Sequence, residues 1–299
     1  MGIGYIIWNP LSGTVGNAED VKALAVVADH ERKIIDIRNI KDYKVFFDGL
    51  EKDDYIIIAG GDGTLNRFIN DTEGIDYDCD ILYFPCGTGN DFAHELGYAK
   101  GDAPFDITKY LKDLPVVEVK GKKYRFINGV GYGIDGYCCE VGDRLKKTPG
   151  KKVNYTAIAI KGLLFGYKPT AATVTVDGVS HKYKKVWIAP TMNGKYYGGG
   201  MMPTPHQDRN NEEGALSVMV FHDSGKLKTL MVFPSIFNGE HIKHTDVVDV
   251  LTGREITVEF DSPRALQIDG ETVLGVSSYT AMSSLKSVKP TSSHLMVIE

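Results

Sequence analysis

Tyr55-Ile56-Ile57-Ile58-Ala59-Gly60-Gly61-Asp62-Gly63-Thr64-Leu65-Asn66 opens as an apolar run and closes as a glycine-rich turn, with Arg67-Phe68-Ile69-Asn70 behind it. A short run rich in β-branched residues and ended by glycines reads as a buried central strand, and the residues after the turn read as a helix start. Glycines at such a junction allow positive φ and close backbone approach. Consecutive N–H groups can then converge on one anion, where the helix dipole favours negative charge. The turn is a phosphate cradle with an acid in it. Asp62 would repel a bare phosphate, so its presence implies a Mg²⁺ shared with the phosphates, directly or through water. Taken alone, Gly-Gly-Asp-Gly is equally an ordinary strand-to-helix turn.

A second stretch, Ile81-Leu82-Tyr83-Phe84-Pro85-Cys86-Gly87-Thr88-Gly89-Asn90-Asp91-Phe92-Ala93, repeats the order of strand, glycine turn and helix start. Two such units put two turns at the carboxyl-end edge of one parallel sheet, where open α/β sheets bind ligands. The pair GGDGTLN and PCGTGNDFA resembles the catalytic domain of diacylglycerol kinase-type lipid kinases, in particular the soluble bacterial proteins related to sphingosine kinases. Neither a Walker lysine nor the protein-kinase glycine loop is present. NAD kinases and phosphofructokinases share only the Gly-Gly-Asp-Gly core, so the second motif discriminates.

Asn9-Pro10-Leu11-Ser12-Gly13 ends the apolar run from Ile3 to Trp8. By composition it is as consistent with a βα loop chosen for shape. The resemblance implies contact with nucleotide phosphate by Asn9, Pro10, Ser12 and Gly13. It extends the ATP site to Gly60, Gly61, Asp62, Gly63, Thr64, Asn66, Gly87, Thr88, Gly89 and Asn90, with Asp62 acting through Mg²⁺. This chain departs from its relatives at Thr14, where a basic residue is common nearby, at His94, where many carry Arg, and at Glu118, where Asp is usual.

The first part reads β-α-β-α-β, a doubly wound sheet with right-handed crossovers. From Thr170 onward strands dominate, Asp177-Gly178 signals a hairpin, and a helix is expected around Lys226 to Phe237. The expected fold is an N-terminal doubly wound α/β nucleotide-binding domain with a C-terminal β-sandwich-like domain and the active site in the cleft between them. Residues 1–121, with a return of about 285–299, would form the ATP-binding domain, and residues 122–284 the β-rich lipid-substrate domain.

Gln267-Ile268-Asp269-Gly270-Glu271 joins two strands, and Asp269-Gly270 alone would be a hairpin turn. By resemblance this is the family's Asp-Gly-Glu, which implies Glu271 as general base opposite the nucleotide. A lipid hydroxyl is a poor nucleophile until a carboxylate accepts its proton. Asn210-Asn211-Glu212-Glu213-Gly214-Ala215-Leu216 matches the place where relatives have Asp-Asp-Gly-x-Leu and hold a structural Mg²⁺. Glu213 with the carbonyls of Asn210 and Ala215 would supply oxygens for it, although an exposed acidic turn is as consistent with the residues. The basic run Arg144 to Lys152 precedes a helical pattern from Val153 to Phe165; it reads as a solvated turn or as a contact for anionic membrane.

The chain has 299 residues and a net charge of −5, which gives no general attraction to nucleic acid, so a membrane contact needs a local patch. Its four cysteines show neither metal-ligand nor disulfide spacing. No apolar stretch reaches the ~18 residues of a membrane span. With no signal pattern ahead of Gly4-Tyr5-Ile6-Ile7-Trp8, the expected location is cytoplasmic, with transient contact at the inner face of the membrane. The expected activity is that of an ATP- and Mg-dependent lipid kinase acting on diacylglycerol or a related glycerolipid. A kinase of a soluble acceptor such as NAD and a catalytically silent nucleotide- or lipid-binding regulator are the alternatives. A homodimer is among the states the sequence leaves open.

Overall fold

The computed structural model describes residues 2–10, 17–26, 31–146 and 155–284. The first sheet is built in order from β1 (Gly4–Trp8), α1 (Asn17–Ala25), β2 (Arg32–Asp36), α2 (Tyr43–Asp48), β3 (Tyr55–Gly60), α3 (Asp62–Asp71), β4 (Ile81–Pro85), α4 (Asp91–Glu95) and β5 (Phe105–Asp106). Its strand order is β2-β1-β3-β4-β5, with four parallel strands and β5 antiparallel at one edge. The unbroken apolar run of β3 occupies the centre, where Ile56, Ile57, Ile58 and Ala59 are fully buried. Strand periodicity divides them between two cores. Ile56 and Ile58 pack with residues of α2, α3 and α4, including Phe47, Leu65, Phe68 and Phe92; Ile57 and Ala59 pack with Val21 and Leu24 of α1. Each fully buried isoleucine contributes about 2 kcal/mol, so register is strongly fixed.

The second sheet is antiparallel and comprises β6 (Val116–Val119), β7 (Lys122–Arg125), β8 (Gly129–Tyr132), β9 (Thr170–Val176), β10 (Val179–Val186), β11 (Thr191–Met192), β12 (Leu216–Phe221), β13 (Val248–Gly253), β14 (Glu255–Ile268) and β15 (Glu271–Met282). Residues 255–268 run as one long strand, β14. A register shift between Glu259 and Arg264 bends it, so its first half pairs with β9 and its last residues with β8. The sheet thereby wraps a core containing Val130, Tyr132, Val218, Val258 and Leu266. Helices α5 (Ile134–Lys146), α6 (Tyr155–Lys161) and α7 (Lys226–Val232) cover its other face over Ile134, Leu163, Trp187, Phe221 and Val232. The helix expected to reach Phe237 changes to a 3₁₀ turn, Phe233–Asn238, at Pro234, which cannot donate to the preceding turn.

By sheet membership the crossover lies between β5 and β6. The division expected near Gly121 falls in the turn of the β6–β7 hairpin, both strands of which belong to the second sheet. The return of about 285–299 lies outside the described residues.

Candidate active site

The parallel register aligns Trp8 with Ala59 and Gly60 with Pro85, so Asn9, Gly61 and Gly87 follow their strands onto one rim. Asn9 and Pro10 are half-buried there, while Ser12, Gly13 and the neighbouring Thr14 lie outside the described residues. The carbonyl of Gly60 accepts the N–H groups of Cys86 at 3.0 Å and Gly87 at 3.1 Å. The two glycine turns are thus in direct contact. A Cβ on Gly87 would stand 2.3 Å from Gly61 Cα, and one on Gly60 would stand 2.5 Å from Thr64 Cβ. Gly60, Gly61, Gly63, Gly87 and Gly89 all lie outside the positive-φ region. Of the two uses expected of these glycines, positive φ is absent and close approach is present: the packing of the turns leaves no room for a Cβ at Gly60 or Gly87 and little at Gly61. The left-handed residue is Asn90, with φ 52°. Its side chain brackets Gly87, accepting that residue's N–H at 3.0 Å and donating to its carbonyl at 3.1 Å. Thr64 is buried beneath Gly60, whereas Gly63, Thr88 and Gly89 are exposed on the rim.

Asp62 begins α3, but its carboxylate caps α4. Oδ2 accepts the N–H of Asp91 at 2.9 Å, and Oδ1 accepts the N–H of Phe92 and the amide of Asn128, both at 3.0 Å. Asp91 turns instead to the second domain and accepts the N–H groups of Gly199 at 2.8 Å and Gly200 at 2.7 Å. Burial, followed by the nearby charge of Asp62, pushes the Asp91 carboxyl up to about 7. The glycine run Gly198-Gly199-Gly200 has positive φ throughout, a conformation that lets backbone N–H groups meet this acid.

Asp269 is the buried centre of the junction. Its carboxylate receives N–H groups from Ile127 at 2.7 Å and from Asn128 and Gly129, both at 2.9 Å; the side chain of Asn66 adds a fourth at 3.0 Å. Burial raises its pKa, and these four donors oppose the shift. The amide of Asn66, expected at the nucleotide, is therefore committed to Asp269 on the inner side of α3. Asp269 and Gly270 have φ 45° and 95°, as a type I′ hairpin requires. That turn starts β15 with Glu271 exposed toward the first domain. Glu271 Oε1 lies 3.8 Å from the position a Cβ on Gly63 would take. Glu271 and the first glycine turn thus face each other across the cleft.

Three further residues hold the halves together, and two of them, Glu95 and Arg209, carry no signal in the sequence. Asn128, itself buried, binds Asp269 through its backbone and Asp62 through its amide, and its side-chain oxygen accepts Arg209 at 3.2 Å. Arg209 and Glu95 form an ion pair at 2.5 Å with side chains only 3% and 8% exposed. The guanidinium also lies over the Phe92 ring at 4.7 Å. Nothing in the acidic turn around Arg209 distinguishes it from a solvated charge. His94, the departure from the family's Arg, meets the Tyr196 ring edge-on with centroids 4.6 Å apart.

The donor sets respond differently to a metal. Asp62 accepts three hydrogen bonds, leaving roughly one of the four lone-pair directions of a carboxylate. It has Asp91 as a like-charged neighbour. Among the described residues no group of three or more His, Cys, Asp or Glu side chains forms a cage. One acid with a single open direction fits a Mg²⁺ that keeps waters and takes its other ligands from phosphates. The loop holding Asn210, Glu213 and Ala215 does not fit the second metal. The Ala215 carbonyl already accepts Gln207 Nε2 at 2.8 Å and Asn211 Nδ2 at 3.0 Å, its N–H donates to Asn211 Oδ1 at 2.6 Å, and Glu213 is exposed. Amides occupy the oxygen that a cation would need.

Residues 4–117 match the diacylglycerol kinase catalytic domain, and residues 128–297 match the YegS C-terminal NAD kinase beta sandwich-like domain. A diacylglycerol kinase of Bacillus subtilis is 27% identical over 229 residues, covering 74% of this chain and 72% of its own. One from Mycobacterium tuberculosis is 26% identical over 217 residues, covering 70% and 67%. The crystal structure of a diacylglycerol kinase from Bacillus anthracis superposes with a TM-score of 0.61 at 19% identity, covering 95% of this chain and 94% of that one, and so shares the fold. With both of its domains matched and its glycine turns meeting at one cleft, the chain belongs to the diacylglycerol kinase-like family of lipid kinases.

Proposed function

We propose that the protein transfers the γ-phosphoryl group of Mg-ATP to a hydroxyl of a membrane lipid, diacylglycerol or a related glycerolipid, at the cytoplasmic face of the membrane. The observation that carries this reading is the exposed carboxylate of Glu271 facing the glycine turn, with Oε1 3.8 Å from the Cβ position of Gly63. In this reading Asn9, the backbone of Gly60 to Gly63 and the rim at Thr88 and Gly89 hold the phosphates. Glu271 accepts the hydroxyl proton as that oxygen bonds to the γ-phosphorus and ADP leaves with the electron pair of the broken P–O bond. Bound Mg²⁺ supplies charge neutralisation on the phosphates, and Asp62 would hold it. Asn66, Asn128 and Asp269 keep base and cradle at a fixed separation, so catalysis rests on positioning and electrostatics. The glycerolipid acceptor is supported by relatives that carry the name diacylglycerol kinase.

The test is transfer of labelled phosphate from Mg-ATP into a bacterial lipid extract and into dioctanoylglycerol dispersed in detergent, with NAD as a soluble acceptor in parallel. A labelled lipid made by the wild type and reduced about 10²–10⁴-fold by Glu271→Gln supports the reading. Label in NAD alone, or binding of Mg-ATP without transfer to any acceptor, would replace it with the soluble-acceptor kinase or the silent regulator.

A further inference from the structure

Asp135, in the first turn of α5, is an acid that the transfer described above does not use. Its side chain is buried, and among the described residues only neutral donors reach it. The N–H of Gly136 donates to Oδ1 at 2.8 Å and the Tyr197 hydroxyl to Oδ2 at 3.2 Å. The amide of Gln267, also buried, lies beside Oδ2. A Cβ on Gly131 would stand 1.6 Å from Asp135 Oδ2 and 2.5 Å from Gln267 Nε2, so both atoms fill the space that a side chain on β8 would take. Burial pushes the Asp135 carboxyl up to about 6, and the Gly136, Tyr197 and Gln267 donors oppose the shift. A buried acid without a cation is costly, and an amide would fill the same volume.

What the acid supplies is direction. An ionised carboxylate only accepts hydrogen bonds, whereas an amide presents a donor on one side and an acceptor on the other. Facing Asp135, Gln267 turns Nε2 inward, which leaves Oε1 toward the Asp269-Gly270 turn, where it accepts the Gly270 N–H at 2.6 Å. Glu271 is the next residue. With Nε2 in that place two donors would face each other and the turn would lose its bond. The same acid fixes the Tyr197 hydroxyl as a donor. Tyr197 exchanges backbone hydrogen bonds with Met201 at 3.0 and 3.1 Å, closing the loop whose Gly199 and Gly200 N–H groups hold Asp91. One carboxylate thus governs both the hairpin behind Glu271 and the loop that reaches the first domain.

We infer that Asp135 is a positioning residue for phosphate transfer: an acceptor-only group that orients the Gln267 amide to hold the turn presenting Glu271 and, through Tyr197, holds the loop bound to Asp91. Its consequence for transfer rests on the lipid-kinase reading above; the hydrogen-bond polarity is measurable without it. The full chain is compared with Asp135→Asn, Gln267→Glu and the double substitution by peptide-resolved amide hydrogen exchange, thermal unfolding and transfer from Mg-ATP to detergent-dispersed dioctanoylglycerol. Asp135→Asn frees the Gln267 amide to flip, and Gln267→Glu sets two carboxylates against each other. Each should speed exchange in the segment 269–272 about tenfold and lower kcat about 10–100-fold, with KM for ATP within about twofold of the wild type. The double substitution reverses the polarity. An amide at position 135 then donates to a carboxylate at position 267 that still accepts the Gly270 N–H, while the Tyr197 hydroxyl can accept as well as donate. Exchange and kcat should return to within about threefold of the wild type, which a role in packing alone would not produce. Additive defects in the double substitution, or single variants with wild-type exchange and kcat, overturn the inference. If the single variants do not fold, the double decides: wild-type exchange in the segment 269–272 supports the inference, and failure to fold overturns it. If the wild type transfers no phosphate, the proposed acceptor fails, and the exchange comparison still supports or overturns the holding of the turn by Asp135.

Discussion

The side-chain amide of Asn66 donates to Asp269 Oδ2 at 3.0 Å, joining residues 203 positions apart. Asn66 is one turn beyond Asp62 on the helix that leaves the glycine turn, and Asp269 sits in the hairpin that presents Glu271. One hydrogen bond therefore couples the proposed metal-holding acid to the proposed base. Asn66→Ala should cost about 1–3 kcal/mol, because Asp269 stays buried with one donor fewer. If the bond also positions Glu271, kcat should fall while KM for ATP changes little. Urea unfolding and steady-state kinetics check both, and a stability loss with unchanged kcat would confine Asn66 to the fold.

Gly87 and Gly63 separate packing from chemistry. A Cβ on Gly87 meets the backbone of Gly61 at 2.3 Å, and backbone cannot rotate away as a side chain can. Gly87→Ala should force the turns apart, costing about 1–3 kcal/mol and nucleotide affinity with it. Gly63 lies within the first turn of α3 and its Cβ would meet only Glu271 Oε1, at 3.8 Å. Gly63→Ala should keep or raise Tm, since alanine favours helix by about 1 kcal/mol, while crowding the space between cradle and base. Thermal unfolding beside phosphate-transfer assays distinguishes the two variants.

The sequence made the first domain legible because its signals are local. The run Tyr55–Ala59 is apolar at every position, as a strand buried on both faces must be, and each glycine turn sits directly after its strand. The place of Glu271, just after a tight turn and opposite the first glycine turn, was legible through the Asp-Gly hairpin. The hydrogen bonds of Asp62 and Asp269 were not, because their partners, Asp91, Asn128 and Ile127, come from elements far away in the chain. The Glu95–Arg209 pair was hidden for the same reason: burial of a charge depends on tertiary packing, and neither residue has a local pattern that announces it.

That pair predicts an asymmetric mutational response. Arg209 bonds Glu95, the Ile127 carbonyl and Asn128, and stacks on Phe92, so removing Glu95 leaves a buried cation with only neutral partners. Glu95→Gln or Arg209→Met alone should cost about 3–5 kcal/mol, whereas Glu95→Met with Arg209→Met should cost less than the sum. A double-mutant cycle by chemical denaturation measures the coupling. Additive losses would mean that the pair is not one unit.

Asp91 gives a pH signature of defined sign. Its carboxyl is pushed up to about 7 in the folded protein, mainly by burial, against about 4 in an unfolded chain. Between those values the folded state binds more protons, so the contribution of this group to stability falls as pH rises and its full cost is present above about pH 7. Asp91→Asn removes the titration and should alter the pH slope of stability in this window by up to about 1.4 kcal/mol per unit, making stability fall less steeply with pH. Unfolding titrations of both proteins from pH 5 to 8 without nucleotide read this directly. Identical slopes would show that Asp91 does not titrate there.

The loop from Gln207 to Ala215 makes the sharpest contrast with the structural metal site expected from relatives. Gln207 Nε2 and Asn211 Nδ2 fill both acceptor directions of the Ala215 carbonyl, and Gln207 Oε1 accepts the Ser217 hydroxyl at 2.6 Å, so the loop is closed by side-chain amides. Asn211→Ala should therefore destabilise by about 1–3 kcal/mol, because it removes a donor from Ala215 O and the acceptor of Ala215 N–H together. Chelator added without nucleotide should leave the wild-type Tm unchanged, while phosphate transfer, which the proposed mechanism makes Mg-dependent, should stop. A chelator-induced fall in Tm restored by Mg²⁺ would mean that a cation displaces these amides and ties the loop instead. Repeating the measurement on Asn211→Ala would then show whether cation and amide contribute to the same closure, since a cation closing the loop by itself would make the substitution nearly silent.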